Sequence, residues 1–259
     1  MTLYRLNILA QEFSELSERE QLFLLRFAHV HNDLRHIRQL VVVANNGLKI
    51  LSGLERDIAL HQYLFAVKLW CGALTEAVEV INSGWNGSGL AARLHSAIPS
   101  EAKDALREFI DYFNRPNPIR IIRRRFAFHY DSEPIVQERI NSVPSLNFAF
   151  VTGDRSANTF YDSAEIVRIN AIFRAVNAER IEVAEEELYR AMAGVHDWFM
   201  TFSHAVMIAL VEKCGSESEE IVSTCIVDPA TTKPIIFVDE DAIGRMLKQR
   251  GLLLAEQDK

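Results

Sequence analysis

The stretch from Ser17 to Val43, SEREQLFLLRFAHVHNDLRHIRQLVVV, decides the fold of this 259-residue chain. Ser17 followed by Glu20 forms a capping box, in which each side chain bonds the backbone of the other residue at the start of a helix. Apolar residues then recur at helical spacing, at Leu24, Phe27, Leu34, Ile37 and Val41. The pattern predicts one long helix that ends at Asn45-Asn46-Gly47.

Further segments along the chain carry the same helical periodicity. A second capping-box pattern, Ser52 with Glu55, predicts another long helix that continues to the glycine-rich stretch from Ser83 to Gly89. Four more helices are predicted over residues 101–114, 118–131, 163–178 and 183–213, with Ser100 capping the first and Pro118 in the first turn of the second. We therefore predict a mainly α fold, an antiparallel helical bundle.

Short β-rich segments complete the predicted organisation. Residues 146–152 and 159–161 favour a small hairpin around Gly153-Asp154, and residues 221–227 and 235–238 favour strands in the tail, followed by a short helix over 240–250. Three parts are expected: a bundle over 1–135, the hairpin and two further helices packing on it over 136–215, and a β-hairpin plus short helix tail over 216–259.

Composition and charge are those of an ordinary globular protein. The chain is 49% hydrophobic and 24% charged, and its formal charge of −7 argues against coating nucleic acid over the whole surface. No apolar run approaches the roughly 18 residues that a membrane span requires, and no leader-like N-terminal pattern is present. We expect a soluble cytoplasmic protein with no membrane partner.

The cysteines indicate neither a disulfide framework nor a metal site. Cys71, Cys214 and Cys225 are odd in number and far apart, without metal-ligand spacing. We interpret them as reduced, structurally buried thiols.

The chemically informative segment is IRIIRRRFAFHYD, from Ile119 to Asp131. It places four arginines within a few turns of His129. On a regular helix the residues Ile119, Ile122, Phe126 and Tyr130 share one apolar stripe, with His129 at its edge. A histidine exchanges protons near neutral pH, and guanidinium groups bind phosphate in bidentate fashion. The combination suits phosphodiester chemistry.

An arginine followed after four to six residues by histidine, near the end of a late bundle helix, resembles the motif of the HEPN superfamily (higher eukaryotes and prokaryotes nucleotide-binding). Arg124 and Arg123 both fit this spacing to His129. The segments His31 to Arg35, which contains Asp33, and Trp70 to Glu79, which contains Glu76, add weaker similarity in the preceding helices. The resemblance covers roughly residues 15–135.

The resemblance implies a metal-independent endoribonuclease of the toxin, phage-defence or RNA-processing kind, without a cofactor. It implies a homodimer that places the arginine and histidine of both subunits in one cleft, and it allows an antitoxin-like protein partner. His129 would be the general acid or base and Arg124 the phosphate-stabilising residue, with Arg123 as its alternate. Supporting positions are Arg125, Tyr130, Glu76 and Asp33.

The sequence does not decide which arginine pairs with His129. On a regular helix Arg125 lies one turn before His129, whereas Arg124 is about 140° away around the axis. Either the helix is irregular there, or the pair forms across a dimer interface, or Arg125 is the functional partner.

Other groups of histidine, acidic and glycine residues are considered as sites of other kinds. His29, Asp33 and His36 with Glu76 and Glu79 would be candidates for a metal site between two helices. His196 and His204, two turns apart among aromatic residues, are interpreted as a core face with polar edges. The glycines of Ser83 to Gly89 lack the lysine of a phosphate-binding loop and are predicted to form a simple connection.

The alternative function is a catalytically inactive HEPN-like binding or scaffold protein. In that hypothesis the arginine helix contacts a nucleotide, an RNA or an acidic protein without cleaving it. Ion pairs that occupy all of Arg123, Arg124 and Arg125 would favour this alternative.

Overall fold

The computed structural model describes residues 2–8, 10–127, 140–141, 150, 161–175, 181–214 and 216–222, and these residues are mainly helical. The elements in chain order are β1 (Thr2–Ile8), α1 (Ala10–Ser14), α2 (Glu18–Ile50), α3 (Gly53–Val80), a π-helical segment π1 (Ile81–Trp85), α4 (Leu90–Leu94), α5 (Ser100–Phe113), α6 (Pro118–Ile122), a second π-helical segment π2 (Arg123–Ala127), α7 (Asp162–Ala175), α8 (Ile181–Cys214) and β2 (Ser216–Val222).

Helix α2 begins at the predicted capping box. The Glu20 amide donates to Ser17 Oγ at 3.4 Å, and the Ser17 amide donates to Glu20 Oε2 at 2.8 Å. The predicted end at Asn45-Asn46-Gly47 is wrong, because the helix continues to Ile50. Gly47 is buried in the continuing helix, so tertiary packing there outweighs the weak helix preference of glycine.

Helix α3 begins where predicted but without its capping box. Ser52 precedes the helix and its side chain makes no capping hydrogen bond. The next residue, Gly53, has a φ of +55°, a left-handed conformation that glycine adopts readily. The chain therefore enters α3 through a glycine turn rather than through a side-chain cap.

The core lies between α2, α3, α5 and α8. Helices α2 and α3 are joined by two residues and pack against each other, while α5 packs on α8. Edge-on aromatic contacts join these layers, since the rings of Phe27 and Phe199 lie 5.3 Å apart and those of Trp85 and Phe202 lie 5.1 Å apart. The predicted helical bundle is confirmed in this part of the chain.

The strands differ from the predicted ones. β1 and β2 pair antiparallel, from Thr2 opposite Val222 to Ile8 opposite Ser216. The sequence pattern did not predict β1, and β2 overlaps the predicted 221–227 strand only at its end. The predicted internal hairpin, and the tail beyond Val222, lie outside the described residues.

Two observations bear on the remaining expectations of the sequence. None of the helices within the described ranges combines the length and apolar character needed to cross a bilayer. Cys71 is a fully buried free thiol, as predicted, and burial raises its pKa far above the ordinary value. The side chains of Cys214 and Cys225 lie outside the described set.

Candidate functional site

The arginine segment is held on the bundle by its apolar stripe. Asn117 caps α6 by accepting a 2.9 Å hydrogen bond from the Arg120 amide, and Pro118 occupies the first turn, as predicted. Ile119 and Ile122 are fully buried and pack, with α6, against α3. The next three positions carry arginines that are consequently fixed at the edge of the core.

The helix changes geometry where the arginines begin. Residues Arg123 to Ala127 are π-helical, which means that hydrogen bonds join residues five apart rather than four apart. Phe126 remains buried, so the change does not release the segment from the core. The helix is therefore irregular at the arginines, which was one of the three alternatives left open by the sequence.

The three arginines of π2 differ in their partners. Arg123 Nη2 lies 3.5 Å from Glu76 Oε1, and both side chains are about half exposed. Arg124 and Arg125 are exposed, and neither forms an ion pair within the described part of the chain. The structure thus joins two predicted site residues, Arg123 and Glu76, and leaves two guanidinium groups open to solvent.

The remaining predicted site residues are not joined to this pair. His129 and Tyr130 lie outside the described residues. Asp33 is exposed on α2, and no hydrogen bond or ion pair among the residues described connects it to π2. Its supporting role stays a prediction from the resemblance.

The alternative metal site finds no support. His29, Asp33 and His36 are all exposed on α2. Across the ranges that the structure describes, no three His, Cys, Asp or Glu side chains come together as metal ligands.

A polar cluster that sequence reasoning missed lies between α2, α3 and α8, formed by His31, Trp70, His196 and Ser203. The indole N–H of Trp70 donates to His196 Nδ1 at 3.2 Å, and His31 Nδ1 lies 2.7 Å from Ser203 Oγ. Trp70, His196 and Ser203 are buried. These partners are more than 100 residues apart, so no local pattern in the sequence reveals them.

Burial determines the protonation of this polar cluster. The pKa of His196 is lowered to about 4, first by burial and then by the positive charge of Arg38, while Asp197 acts in the opposite sense. The pKa of His31 is also lowered, by burial and then by Arg35 and His204. Because His196 accepts a hydrogen bond at Nδ1, it is held neutral. His204 is exposed, which confirms the interpretation of a core face with polar edges.

The glycine-rich stretch is more than a connection, contrary to the prediction. Residues Ile81 to Trp85 continue α3 as π1, and Trp85 is buried. A Cβ on Gly84 would stand 2.4 Å from Phe23 Cδ2, so only glycine allows α2 and π1 to approach this closely. Gly89, with a φ of +95°, then turns the chain into α4.

An ion pair between exposed Arg93 and buried Glu20 ties this region to the start of α2. Arg93 Nε donates to Glu20 Oε1 at 2.8 Å, and Arg93 Nη2 donates to Glu20 Oε2 at 3.1 Å. Burial alone would raise the pKa of Glu20, but hydrogen bonds from Ser17 and Arg93 outweigh it, and the pKa lies below its ordinary value. Glu20 is therefore held as a carboxylate in a nearly fully buried position.

A surface pocket of about 330 Å³ opens between the first turns of α2 and π1. Two arginines of α2, Arg19 and Arg26, line it together with Ser83 and Ser88. The sequence signal for it was the seven-residue spacing of the arginines, which places both on one face of a helix.

Comparison with known proteins gives no relative for this chain: no family model, no characterised protein and no solved structure is similar to it.

Proposed function

We propose that the protein is a metal-independent endoribonuclease of the HEPN-like kind, with Arg124 and His129 as its catalytic residues. The proposal rests on the resemblance of the sequence from Arg123 to Asp131. The observation that supports it best is the exposure of two arginines in this segment. Arg124 and Arg125 are exposed and, in the described part of the chain, unpaired, although the segment that carries them is anchored by buried apolar residues.

The π-helical geometry weakens the objection that a regular helix raises to Arg124. A π-helix has more residues per turn than an α-helix, so positions five apart lie closer together around its axis than the about 140° of a regular helix. Arg125, four positions before His129 in the sequence, remains the alternative. π-helical insertions are frequent at functional sites, because they shift side chains relative to the helix on either side.

The proposed chemistry is an internal transesterification of RNA. The ribose 2′-oxygen attacks the adjacent phosphorus while His129 accepts the 2′-hydroxyl proton, and the bond from phosphorus to the 5′-oxygen breaks. The 5′-oxygen takes a proton from water as it leaves, His129 later releases its proton to solvent, and the other product ends in a 2′,3′-cyclic phosphate. The Arg124 guanidinium would neutralise charge that develops on the phosphoryl oxygens.

In this proposal Arg123 has a positioning role as well as being the alternate to Arg124. Its contact with Glu76 of α3 would hold π2 in register with the bundle. We also propose a homodimer that brings two copies of Arg124 and His129 into one cleft and acts on RNA in the cytoplasm. Its role would be that of a toxin, a phage-defence protein or an RNA-processing enzyme, under the control of an antitoxin-like protein.

The test is cleavage of a mixed panel of RNAs by the purified protein in excess EDTA. We expect wild type to produce 2′,3′-cyclic phosphate ends, and His129→Ala and Arg124→Ala each to lower the rate by about 100-fold or more, the usual effect of removing an acid–base or charge-stabilising group. Arg107→Ala is the matched control, because Arg107 is an exposed arginine on α5 whose ion pair in the described part of the chain is with nearby Asp104.

Three outcomes separate the alternatives. Loss of activity in Arg125→Ala but not in Arg124→Ala would assign the role to Arg125. RNA binding without cleavage, weakened by the same substitutions, would support the inactive binding protein instead. Wild type that neither cuts nor binds any RNA in the panel would refute the proposal.

A further inference from the structure

A second site, separate from π2, lies where the N-terminal turns of α2 face π1. The pocket there is lined by Arg19 and Arg26 but by no carboxylate, so its lining carries two positive charges in a protein whose net charge is −7. Both arginines are exposed, and within the residues described neither forms an ion pair. Their charges are therefore available to a ligand.

The acidic residue between these arginines, Glu20, is not available to them. Glu20, between them in sequence, is turned inward and is occupied by Arg93 and Ser17. The two arginines are separated by seven residues, which places them on the same face of α2, about 10 Å apart along the axis. Long side chains on such a face can converge on one anion.

The opposite wall of the pocket is shaped by π1 and the turn after it. Ser83 Oγ donates to the Val80 carbonyl at 3.3 Å and Ser88 Oγ donates to the Trp85 carbonyl at 3.1 Å. Since these hydroxyl protons are used within the chain, the donors for a ligand come from the arginines. Leu22, which is exposed, contributes an apolar surface beside them, whereas Phe23 is buried against Gly84.

We propose that this pocket binds the phosphomonoester group of a nucleotide. Guanidinium groups bind phosphate oxygens in bidentate fashion, and two of them match a phosphomonoester dianion better than a single carboxylate. The pocket volume of about 330 Å³ is at the lower end of the range for small-molecule sites, which limits the occupant to about one nucleotide unit. The apolar side of the pocket would cover the sugar or base.

A phosphomonoester has two sources, a free mononucleotide or the 5′ end of an RNA. Either source would present the same dianion to Arg19 and Arg26. The site does not require that π2 be catalytic, because it uses other residues on another helix. Its ligand is accordingly tested by binding rather than by cleavage.

The experiment is calorimetric titration of the full-length protein, at low salt, with adenosine 5′-monophosphate, inorganic phosphate and a short RNA with or without a 5′-phosphate. We expect saturable binding of adenosine 5′-monophosphate at one site per chain. The pair Arg19→Gln and Arg26→Gln should weaken it by more than about tenfold, because each substitution removes charge-assisted hydrogen bonds. The control pair Arg56→Gln and Arg107→Gln changes the net charge equally at exposed positions elsewhere and should bind as wild type does.

The outcomes are distinct. Binding of the mononucleotide, together with tighter binding of the 5′-phosphorylated RNA than of the unphosphorylated RNA, supports the phosphomonoester site, and the tighter of the two phosphorylated ligands identifies its source. Three results would overturn it. The two variant pairs could lose affinity equally, the Arg19 and Arg26 pair could bind as tightly as wild type, or wild type could fail to bind. If the glutamine pair fails to fold, Arg19→Lys with Arg26→Lys keeps the charge, and its loss of affinity tests the bidentate contact.

Arg124→Ala separates this inference from the proposed function. The variant should retain nucleotide binding at the pocket even when RNA cleavage is lost. Loss of both in Arg124→Ala would place the ligand at π2 and contradict a separate site.

Discussion

The polar cluster of α2, α3 and α8 and the arginines of π2 use polar side chains in opposite ways. In the polar cluster, Trp70 and His196 are buried and bonded to each other, and Ser203 is bonded to His31. In π2, Arg124 and Arg125 are exposed and, among the residues described, have no acidic partner. Paired buried groups contribute to stability, while unpaired exposed charges are available for binding. Substitutions in the two regions should therefore separate stability from activity.

The largest expected effect is the pH dependence of stability caused by His196. Its pKa is about 4 in the folded chain and about 6.5 when exposed, so the unfolded state binds a proton first as the pH falls. The contribution is fully present above about pH 6.5 and is lost as the pH falls to about 4. The two pKa values differ by about 2.5, so the loss amounts to about 3.5 kcal/mol at about 1.4 kcal/mol per pKa unit.

Urea unfolding between pH 7.5 and pH 4.5 measures most of this effect, because the range includes the exposed pKa of about 6.5 and approaches the folded pKa of about 4. His196→Gln keeps an acceptor for the Trp70 indole but cannot be protonated, so the part of the pH dependence that comes from His196 should disappear, while the part that comes from His31 remains. His204→Gln, at an exposed position of the same helix, is the control. An unchanged pH profile in His196→Gln would show that the polar cluster does not determine acid stability.

An intermediate effect is expected at Gly84, where packing rather than charge is tested. Gly84→Ala places a methyl group 2.4 Å from the buried Phe23 ring, so one of them must shift. Overpacking of this kind costs about 1–3 kcal/mol in the free energy of unfolding. Gly87→Ala, whose added Cβ meets nothing closer than Ser83 O at 3.7 Å, is the matched control. Equal stability of both variants in urea unfolding would contradict the close approach of α2 and π1.

The smallest expected effect is on the stability of π2 variants. Arg124→Gln and Arg125→Gln should change the free energy of unfolding by less than about 0.5 kcal/mol, because exposed residues without partners contribute little. Arg123→Gln should lose no more than about 1 kcal/mol, since its pair with Glu76 is half exposed. Thermal or urea unfolding checks both values. A large loss in Arg124→Gln would mean that the arginine has a structural role, and any loss of activity would then need another explanation.

The sequence predicts the helices of the bundle well where local signals and packing agree. The Ser17 and Glu20 capping box is present as predicted, and Ile119, Ile122 and Phe126 form the buried stripe expected for the arginine helix. Predictions were wrong where tertiary packing outweighs a local preference, as at buried Gly47, which does not end α2.

The candidate site was predictable only in part. The arginine spacing was visible in the sequence, and the contact of Arg123 with Glu76 lies within the residues that the resemblance suggested. The π-helical geometry was not visible, because the number of residues per turn depends on how Phe126 and its neighbours pack against α3. The hydrogen bond of His31 with Ser203 joins residues 172 positions apart, which no local pattern encodes.

Glu20 couples the first turn of α2 to the docking of α4. The same carboxylate accepts the Ser17 amide, which fixes the first turn of α2, and both bonds from Arg93 of α4. Fraying of that first turn would release the arginine, and undocking of α4 would leave the carboxylate buried without its charge partner. Amide hydrogen exchange at the two places should therefore proceed through a shared opening event, unlike the independent fraying that is usual for helix ends.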